Sequence, residues 1–246
     1  MKNWRLIPLI EASGVTQMAI DKWLLEQHLL GSPPVLRFYT WAPSAISLGY
    51  HQHKYPEHWQ NIICKGQKVD LVKRPTGGRA VLHQGDLTYA VITSGLNGTR
   101  MQAYQKICEF LIAGWKQLGV DLHYGTAGRG YIHNPNCFGT ATSADLVTNN
   151  GYKLIGSAQL RKGNAILQHG AIQLQPDIEL FSQVFGEESR FGELSLNFDV
   201  ETIINALVDA ASNCFNTQFD VKPLSDSEMH QILISLNPSF NPPNPP

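Results

Sequence analysis

Apolar residues recur near helical spacing between residues 14 and 30, at Val15, Met18, Ala19, Leu25 and Leu29. Ser13 can cap that run and Gly31 with Pro33-Pro34 stops it, so the pattern predicts an amphipathic helix. Val35 to Trp41 and Ala45 to Tyr50 are β-rich runs around Pro43-Ser44, which predicts a hairpin or a sharp bend. Asp70 to Arg74 and Asp86 to Thr93 read as strands flanking a glycine-containing segment. Residues 99–118 place Ile107, Leu111, Trp115 and Leu118 on one face and form the longest predicted helix, stopped by Gly119. Tyr152 to Leu160 and Ala165 to Leu174 are two further strands, with turn chemistry at Asn149-Asn150-Gly151 and Lys162-Gly163-Asn164. Asp177 to Phe185, Val200 to Phe215 and Ser227 to Leu236 are helical, with Asp199 and Ser225 as caps and Ser225 with Glu228 as a capping box.

The order is helix, strands, long helix, strands, helices, with no repeat, no heptad run and no G-x-G-x-x-G. It predicts an α+β fold: a mixed, largely antiparallel β-sheet packed by helices, and not a doubly wound one. Residues 1–236 are expected to form a single domain. Residues 237–246 hold five prolines and are expected to be a disordered tail.

Composition narrows the function only a little. The chain is 43% hydrophobic and 16% charged over 246 residues, as ordinary globular proteins are. Its net charge of −1 gives no bulk reason to bind nucleic acid, so any electrostatic recognition must come from a local patch. The apolar run at Leu6, Ile7, Leu9 and Ile10 is broken by Pro8 and is too short for a signal peptide. No stretch reaches the ~18 uninterrupted apolar residues of a membrane span, and the expected location is cytoplasmic.

Four cysteines, Cys64, Cys108, Cys137 and Cys214, form no C-x-x-C pair and read as reduced thiols. Cys64, Cys108 and Cys214 sit in apolar runs and read as packing residues. Cys137 is different: Asn136-Cys137-Phe138-Gly139-Thr140 lies in a stretch rich in glycine and polar residues.

Three more stretches carry candidate chemistry. In Arg74-Pro75-Thr76-Gly77-Gly78-Arg79-Ala80-Val81-Leu82-His83 a glycine pair lets backbone approach a ligand, and Arg74, Arg79 and His83 surround it with donors. The residues alone also fit a tight hairpin turn with a solvated basic rim. Lys153 lies in a run otherwise small or apolar, Leu154-Ile155-Gly156-Ser157-Ala158-Gln159. It is either a strand-edge lysine facing water or a buried cation with a task. His169, in Leu167-Gln168-His169-Gly170, is either a satisfied core histidine or a site residue. His51-x-His53 has no cysteine or carboxylate at ligand spacing nearby, so no metal is expected.

Together these stretches resemble the biotin/lipoate protein ligase superfamily, closest to its cysteine-dependent octanoyltransferase and lipoate-protein ligase A branch. Met18-Ala19-Ile20-Asp21 resembles its opening helix, and Leu36 to Trp41 followed by Ser47 to Gln52 is similar to its first hairpin. Arg74 to His83 resembles its acyl-binding glycine loop. Lys153 with Gly156-Ser157-Ala158-Gln159, and then Gln168-His169-Gly170, resembles the strand pair that carries its lysine. The likeness spans roughly residues 4 to 190.

The resemblance implies a catalytic fold of the class II aminoacyl-tRNA synthetase and biotin-ligase kind. It implies an acyl tunnel walled by Val81, Leu87, Tyr89 and Val91, with the acyl group held around Arg74, Thr76, Gly77, Gly78, Arg79, His83, Gly156, Ser157, Ala158, His169 and Gly170. It also implies catalysis by Cys137 and Lys153, acting without a cofactor. The implied partners are acyl carrier protein as donor and, as acceptors, lipoyl domains of 2-oxoacid dehydrogenases or the glycine cleavage H protein.

The sequence departs from the pattern of ATP-dependent lipoate ligases, which carry a third glycine where Arg79 stands and an aspartate where Gln84 stands. It departs from the cysteine-dependent pattern at Gly139, where an acid is expected, and by one residue in the sixteen from Cys137 to Lys153. The reading is therefore octanoyl transfer through a cysteine acyl-enzyme. Its alternatives are an ATP- and Mg-dependent lipoate-protein ligase acting through lipoyl-AMP, and a non-catalytic acyl- or carrier-binding module.

Overall fold

The computed structural model describes residues 3–125, 144–186 and 197–236. The elements run β1 (Asn3–Ala12), α1 (Gly14–Leu29), β2 (Val35–Trp41), β3 (Ala45–Leu48), a 3₁₀ helix (Glu57–Asn61), β4 (Ile63–Cys64), β5 (Gln67–Lys68), β6 (Asp70–Lys73), β7 (Val81–His83) and β8 (Asp86–Ser94). They continue with α2 (Arg100–Gln117), β9 (Leu122–Tyr124), β10 (Asp145–Thr148), β11 (Lys153–Lys162), β12 (Ala165–Gln173), α3 (Ile178–Phe185), α4 (Val200–Phe215), β13 (Gln218–Val221) and α5 (Asp226–Leu236).

One sheet has eight strands in the order β13-β1-β2-β8-β12-β11-β10-β9. Its pairs are antiparallel from β2 to β9 and parallel only where β1 joins β2 and β13. The mixed, largely antiparallel α+β architecture is thus as the sequence predicts. A second sheet has three strands in the order β6-β3-β7, and β4 with β5 make a separate small ribbon.

Both faces of the large sheet are covered, which is why β12 is buried at all nine positions and does not alternate. On one face Leu36, Phe38, Leu87, Tyr89, Val91, Ile166 and Ile172 pack against α2 and α4. On the other, Val35, Ala90, Ile92 and Leu167 pack against α1 residues Met18, Ile20, Leu24 and Leu25 and against Ile232 of α5. The small sheet has its own core, Ile46, Leu48, Trp59, Ala80 and Leu82, closed by Leu180 and Phe181 of α3.

Capping follows the chemistry read from the sequence. The Ser13 hydroxyl accepts from the Thr16 amide at the start of α1. Ser225 and Glu228 form the capping box of α5, each accepting from the other's amide. The Glu228 carboxylate also takes a two-pronged bond from Arg5, which pulls its pKa down to about 2 and ties α5 to β1.

Of the hairpin or sharp bend expected around Pro43-Ser44 the structure has the bend: β2 and β3 lie in different sheets, and the turn at Ala42–Pro43, a cis peptide, takes the chain from one to the other. β1 is legible in the sequence only as a broken apolar run. Pro8 falls where the β1–β2 register shifts between Ile7 and Ile10, a bulge that tolerates a residue without an amide proton. Among the described residues no helix is long and apolar enough to cross a membrane.

Candidate functional site

A cavity lies between the large sheet and the small one. Its floor follows the sheet register, in which Gly156 pairs with Ala171, Ala171 with Thr88, and Thr88 with Tyr39 across β11, β12, β8 and β2. Ala158, His169 and Trp41 extend this floor. Gly156, Ala158 and Ala171 are small, and that is what leaves space above the strands. Ser47 of β3, Val81 and His83 of β7, and Met18 of α1 close the cavity from above.

Four polar groups link the roof in one direction. Arg74 Nη1 donates to the Ser47 hydroxyl at 3.2 Å, Ser47 bonds His83 Nε2 at 2.8 Å, and His83 Nδ1 bonds Asp86 Oδ2 at 2.9 Å. A carboxylate only accepts, so Nδ1 carries the proton and Nε2 accepts from the Ser47 hydroxyl. Burial pushes the His83 pKa below its ordinary value, although Asp86 pulls the other way, and the ring is neutral at pH 7. The Trp41 indole stacks on this ring at 3.9 Å and donates to Thr88, whose hydroxyl donates to the same Asp86 oxygen.

The floor holds a second chain of bonds around Asp21 of α1, which is fully buried. Asp21 Oδ2 accepts from the Tyr39 hydroxyl at 3.0 Å and bonds His169 Nδ1 at 2.7 Å. Its other oxygen lies 3.4 Å from the Arg37 guanidinium, which also donates to Gln17 and covers the Tyr39 ring. Burial, reinforced by Asp21, raises the Tyr39 pKa well above 10, so the phenol stays a donor. His169 Nε2 bonds the Thr76 hydroxyl at 2.7 Å.

Both chains end on the glycine loop. Besides Ser47, Arg74 donates to the carbonyls of Gly77 at 2.9 Å and Arg79 at 2.6 Å, so its buried guanidinium is the loop's internal frame. Gly78 has φ +98°, and a Cβ there would sit 2.7 Å from Arg74 Nη2. A Cβ on Gly49 would lie 1.8 Å from the Gly78 carbonyl oxygen, so the turn after β3 must also be glycine. The segment is not a hairpin turn: β6 and β7 do not pair with each other but flank β3.

Replacing Gly78 by valine is expected to weaken binding of an octanoate analogue more than it lowers stability. The strained backbone should cost about 1–3 kcal/mol, while the new side chain displaces Arg74 from the carbonyls that shape the loop. Affinity and thermal melting on one preparation test this. A large fall in melting temperature with unaltered affinity would remove the loop from the site.

The cavity gathers Arg74, Gly78, His83, Gly156, Ser157, Ala158, His169 and Gly170 from the sequence prediction. Thr76, Gly77 and Arg79 join it through the bonds just described. Lys153 does not line the cavity, but it begins β11 three residues before Gly156. It is no strand-edge lysine: it is 6% exposed, and its ammonium meets Asp145 Oδ1 of β10 at 2.9 Å. Burying a cation is tolerable only with such a partner. Cys137 lies outside the described residues.

Other expectations are corrected by the alternation of the strands. Of the four residues expected to wall a tunnel, Val81 alone lines the cavity. Leu87, Tyr89 and Val91 face α2, while Thr88 between them faces the cavity. Gly170 contributes backbone, and its missing Cβ makes room on the far face: a Cβ would meet Ser157 Oγ at 2.4 Å and Tyr89 Cε1 at 2.7 Å. Cys108 is a packing residue as read, its thiol pushed up to about 12 by burial.

Sequence reasoning missed Asp86 and Asp145 as site residues, and noted Ser47 and Asp21 only within motifs. A signal existed for Asp21, a carboxylate on the buried side of an apolar helix three residues after Met18.

Residues 13–215 match the family described as the lipoyl protein ligase A/B catalytic domain. The chain belongs to that family. It is 40% identical over 189 residues to octanoyltransferase LipM of Carboxydothermus hydrogenoformans, covering 75% of this chain and 70% of that one. It is 36% identical over 223 residues to octanoyltransferase LipM of Bacillus subtilis, covering 85% and 80%. Among solved structures, a lipoate-protein ligase A bound with ATP superposes with TM-score 0.79 at 22% identity, covering 96% of this chain and 95% of that one. A bipartite lipoate protein ligase from Thermoplasma acidophilum, solved in work on an archaeal lipoylation system with its E2 lipoyl domain, gives 0.77 at 20% identity, covering 96% and 93%. These likenesses establish the family fold.

Proposed function

We propose that this member of the lipoyl protein ligase A/B family is an octanoyltransferase of protein lipoylation, moving octanoyl from acyl carrier protein to a lysine of a lipoyl domain. The observation that carries this reading is the 40% identity to an octanoyltransferase over three quarters of the chain. The cavity agrees with it: its small and aromatic lining suits an acyl chain.

Cys137 is the nucleophile. Its thiolate attacks the thioester carbonyl, the carrier's sulfur leaves and takes a proton, and octanoyl remains on Cys137 as a new thioester. The neutral amine of the acceptor lysine then attacks that carbonyl, Cys137 leaves as thiolate, and the amine's proton is lost to solvent. The first step exchanges one thioester for another and the second makes an amide from a thioester, so ATP is not required.

Lys153 serves both steps. A free thiol with a pKa near ~8.5 is mostly protonated at neutral pH, and an adjacent ammonium favours the thiolate. The same ammonium stabilises negative charge on the carbonyl oxygen as the tetrahedral centre forms. Asp145 positions that ammonium and balances its charge in the buried strand pair. Arg74, Thr76 and the loop carbonyls shape the cavity over the acyl chain.

Incubation with octanoyl acyl carrier protein in the absence of ATP, read by intact mass, tests the proposal. An added octanoyl group that disappears when a lipoyl domain is supplied is the expected result. Transfer that appears only with free acid and ATP would favour the ligase chemistry instead.

A further inference from the structure

The cavity's mouth is at Gly78, which lines it and is also exposed. The two segments beside that mouth carry only basic charges: from Tyr50 to Pro56 and from Leu71 to Gly85 the chain has Lys54, Lys73 and Arg79, besides the buried Arg74, and no aspartate or glutamate, in a protein whose net charge is −1. The carboxylates that bound these stretches in sequence are mostly engaged elsewhere. Asp70 accepts from the Gly14 amide at 3.0 Å, and Asp86 serves His83 and Thr88. Glu57 is exposed at the start of the 3₁₀ helix.

The patch is fixed to the loop it surrounds. The Tyr50 amide donates to the Thr76 carbonyl at 2.8 Å, and Gly49 packs on the Gly78 carbonyl. Tyr50 is 54% exposed, with Lys73 Nζ 5.6 Å above its ring and His51 against its edge. Lys54 and Lys73 are exposed, and neither makes an ion pair among the described residues. An exposed aromatic ring under a lysine, rigidly attached to a cavity mouth on segments that carry only basic charges, is a surface suited to an acidic partner.

Resting on the transferase reading, we propose that the Tyr50–Lys54 and Lys73 surface docks the acidic acyl carrier protein that brings octanoyl on its flexible thioester arm. Docking there aims the arm at Gly78 and the chain beyond it into the cavity. The site recognises the carrier by charge, so the interaction weakens as salt screens it.

The test is the Kd of acyl carrier protein bearing its unacylated arm for the full chain, measured from low to moderate salt for wild type, Lys54→Glu and Lys54→Glu/Lys73→Glu. The double variant is expected to bind about tenfold more weakly at low salt and to lose most of the salt dependence. Lys54→Glu, which leaves the Tyr50–Lys73 contact in place, should show part of the loss. Turnover of octanoyl-pantetheine, a thioester without the acidic carrier, should be unchanged in both. An unchanged carrier Kd, equal slowing with octanoyl-pantetheine, or weakening confined to the acceptor lipoyl domain would overturn the docking site. Binding is read without turnover. A wild type that binds the carrier through these lysines but forms no acyl-enzyme would sink the transferase reading and leave the surface standing.

Discussion

Replacing Cys137 by serine is expected to abolish ATP-independent transfer from octanoyl acyl carrier protein, by on the order of 10³-fold or more, with the melting temperature little changed. A serine hydroxyl is almost wholly protonated at neutral pH and no ammonium in this site brings it within range, so the first displacement has no nucleophile. Cys108 gives the matching control. Its thiol is fully buried and its pKa is pushed up to about 12, so it holds almost no thiolate at pH 7. Cys108→Ser should therefore keep the octanoyl adduct that Cys137→Ser loses. An adduct that persists in Cys137→Ser, or transfer near the wild-type rate, would mean that the acyl-enzyme forms elsewhere or not at all.

Lys153→Ala is expected to slow transfer by roughly 10²–10³-fold, the range found when one donor to a developing oxyanion is removed. Two effects must be separated. The variant takes the ammonium from the thiol and the carbonyl, and it also takes the ion-pair partner 2.9 Å from the buried Asp145 carboxylate. Breaking a buried pair from one side costs about 3–5 kcal/mol, so the single variant should melt lower. Asp145→Asn combined with Lys153→Ala removes the stranded charge and should recover much of the melting temperature without recovering transfer. The rate of Cys137 alkylation against pH gives the independent readout, and in both variants its midpoint should move to higher pH. A profile that does not move would mean that the ammonium and the thiol do not meet. Transfer that recovers together with melting would reduce Lys153 to a structural residue.

The elements legible from the sequence are those whose pattern is local. Val200–Phe215 shows its spacing, its cap and its stop within one window, and the structure has the same bounds. β7, β9, β10 and β13 are three or four residues long, too short for alternation to rise above chance, and they exist because neighbouring strands pair with them. The site divides in the same way. The glycine loop and the small residues around Ser157 can be read as runs. His83 and Asp86 stand three apart in sequence, and their bond could have been anticipated from that spacing. His169 and Asp21 are separated by 148 positions, so no local pattern links the histidine to its carboxylate. Val81, Leu87, Tyr89 and Val91 look alike as apolar positions. Only the register of β8 against β12 decides that Thr88, and not the larger side chains beside it, turns toward the cavity.

The glycine loop is stitched to both layers of the molecule, to the small sheet through Arg74 and Ser47 and to the large sheet through Thr76 and His169. Prising roof from floor would break buried hydrogen bonds on both sides of the seam, several of them charged or shared with a carboxylate. The cavity therefore behaves as a sheath and not as a pair of jaws. In the proposed transfer a chain slides in lengthwise past Gly78, and because the acyl group rests on the protein between the two displacements, donor and acceptor queue: the first withdraws its arm before the second reaches in.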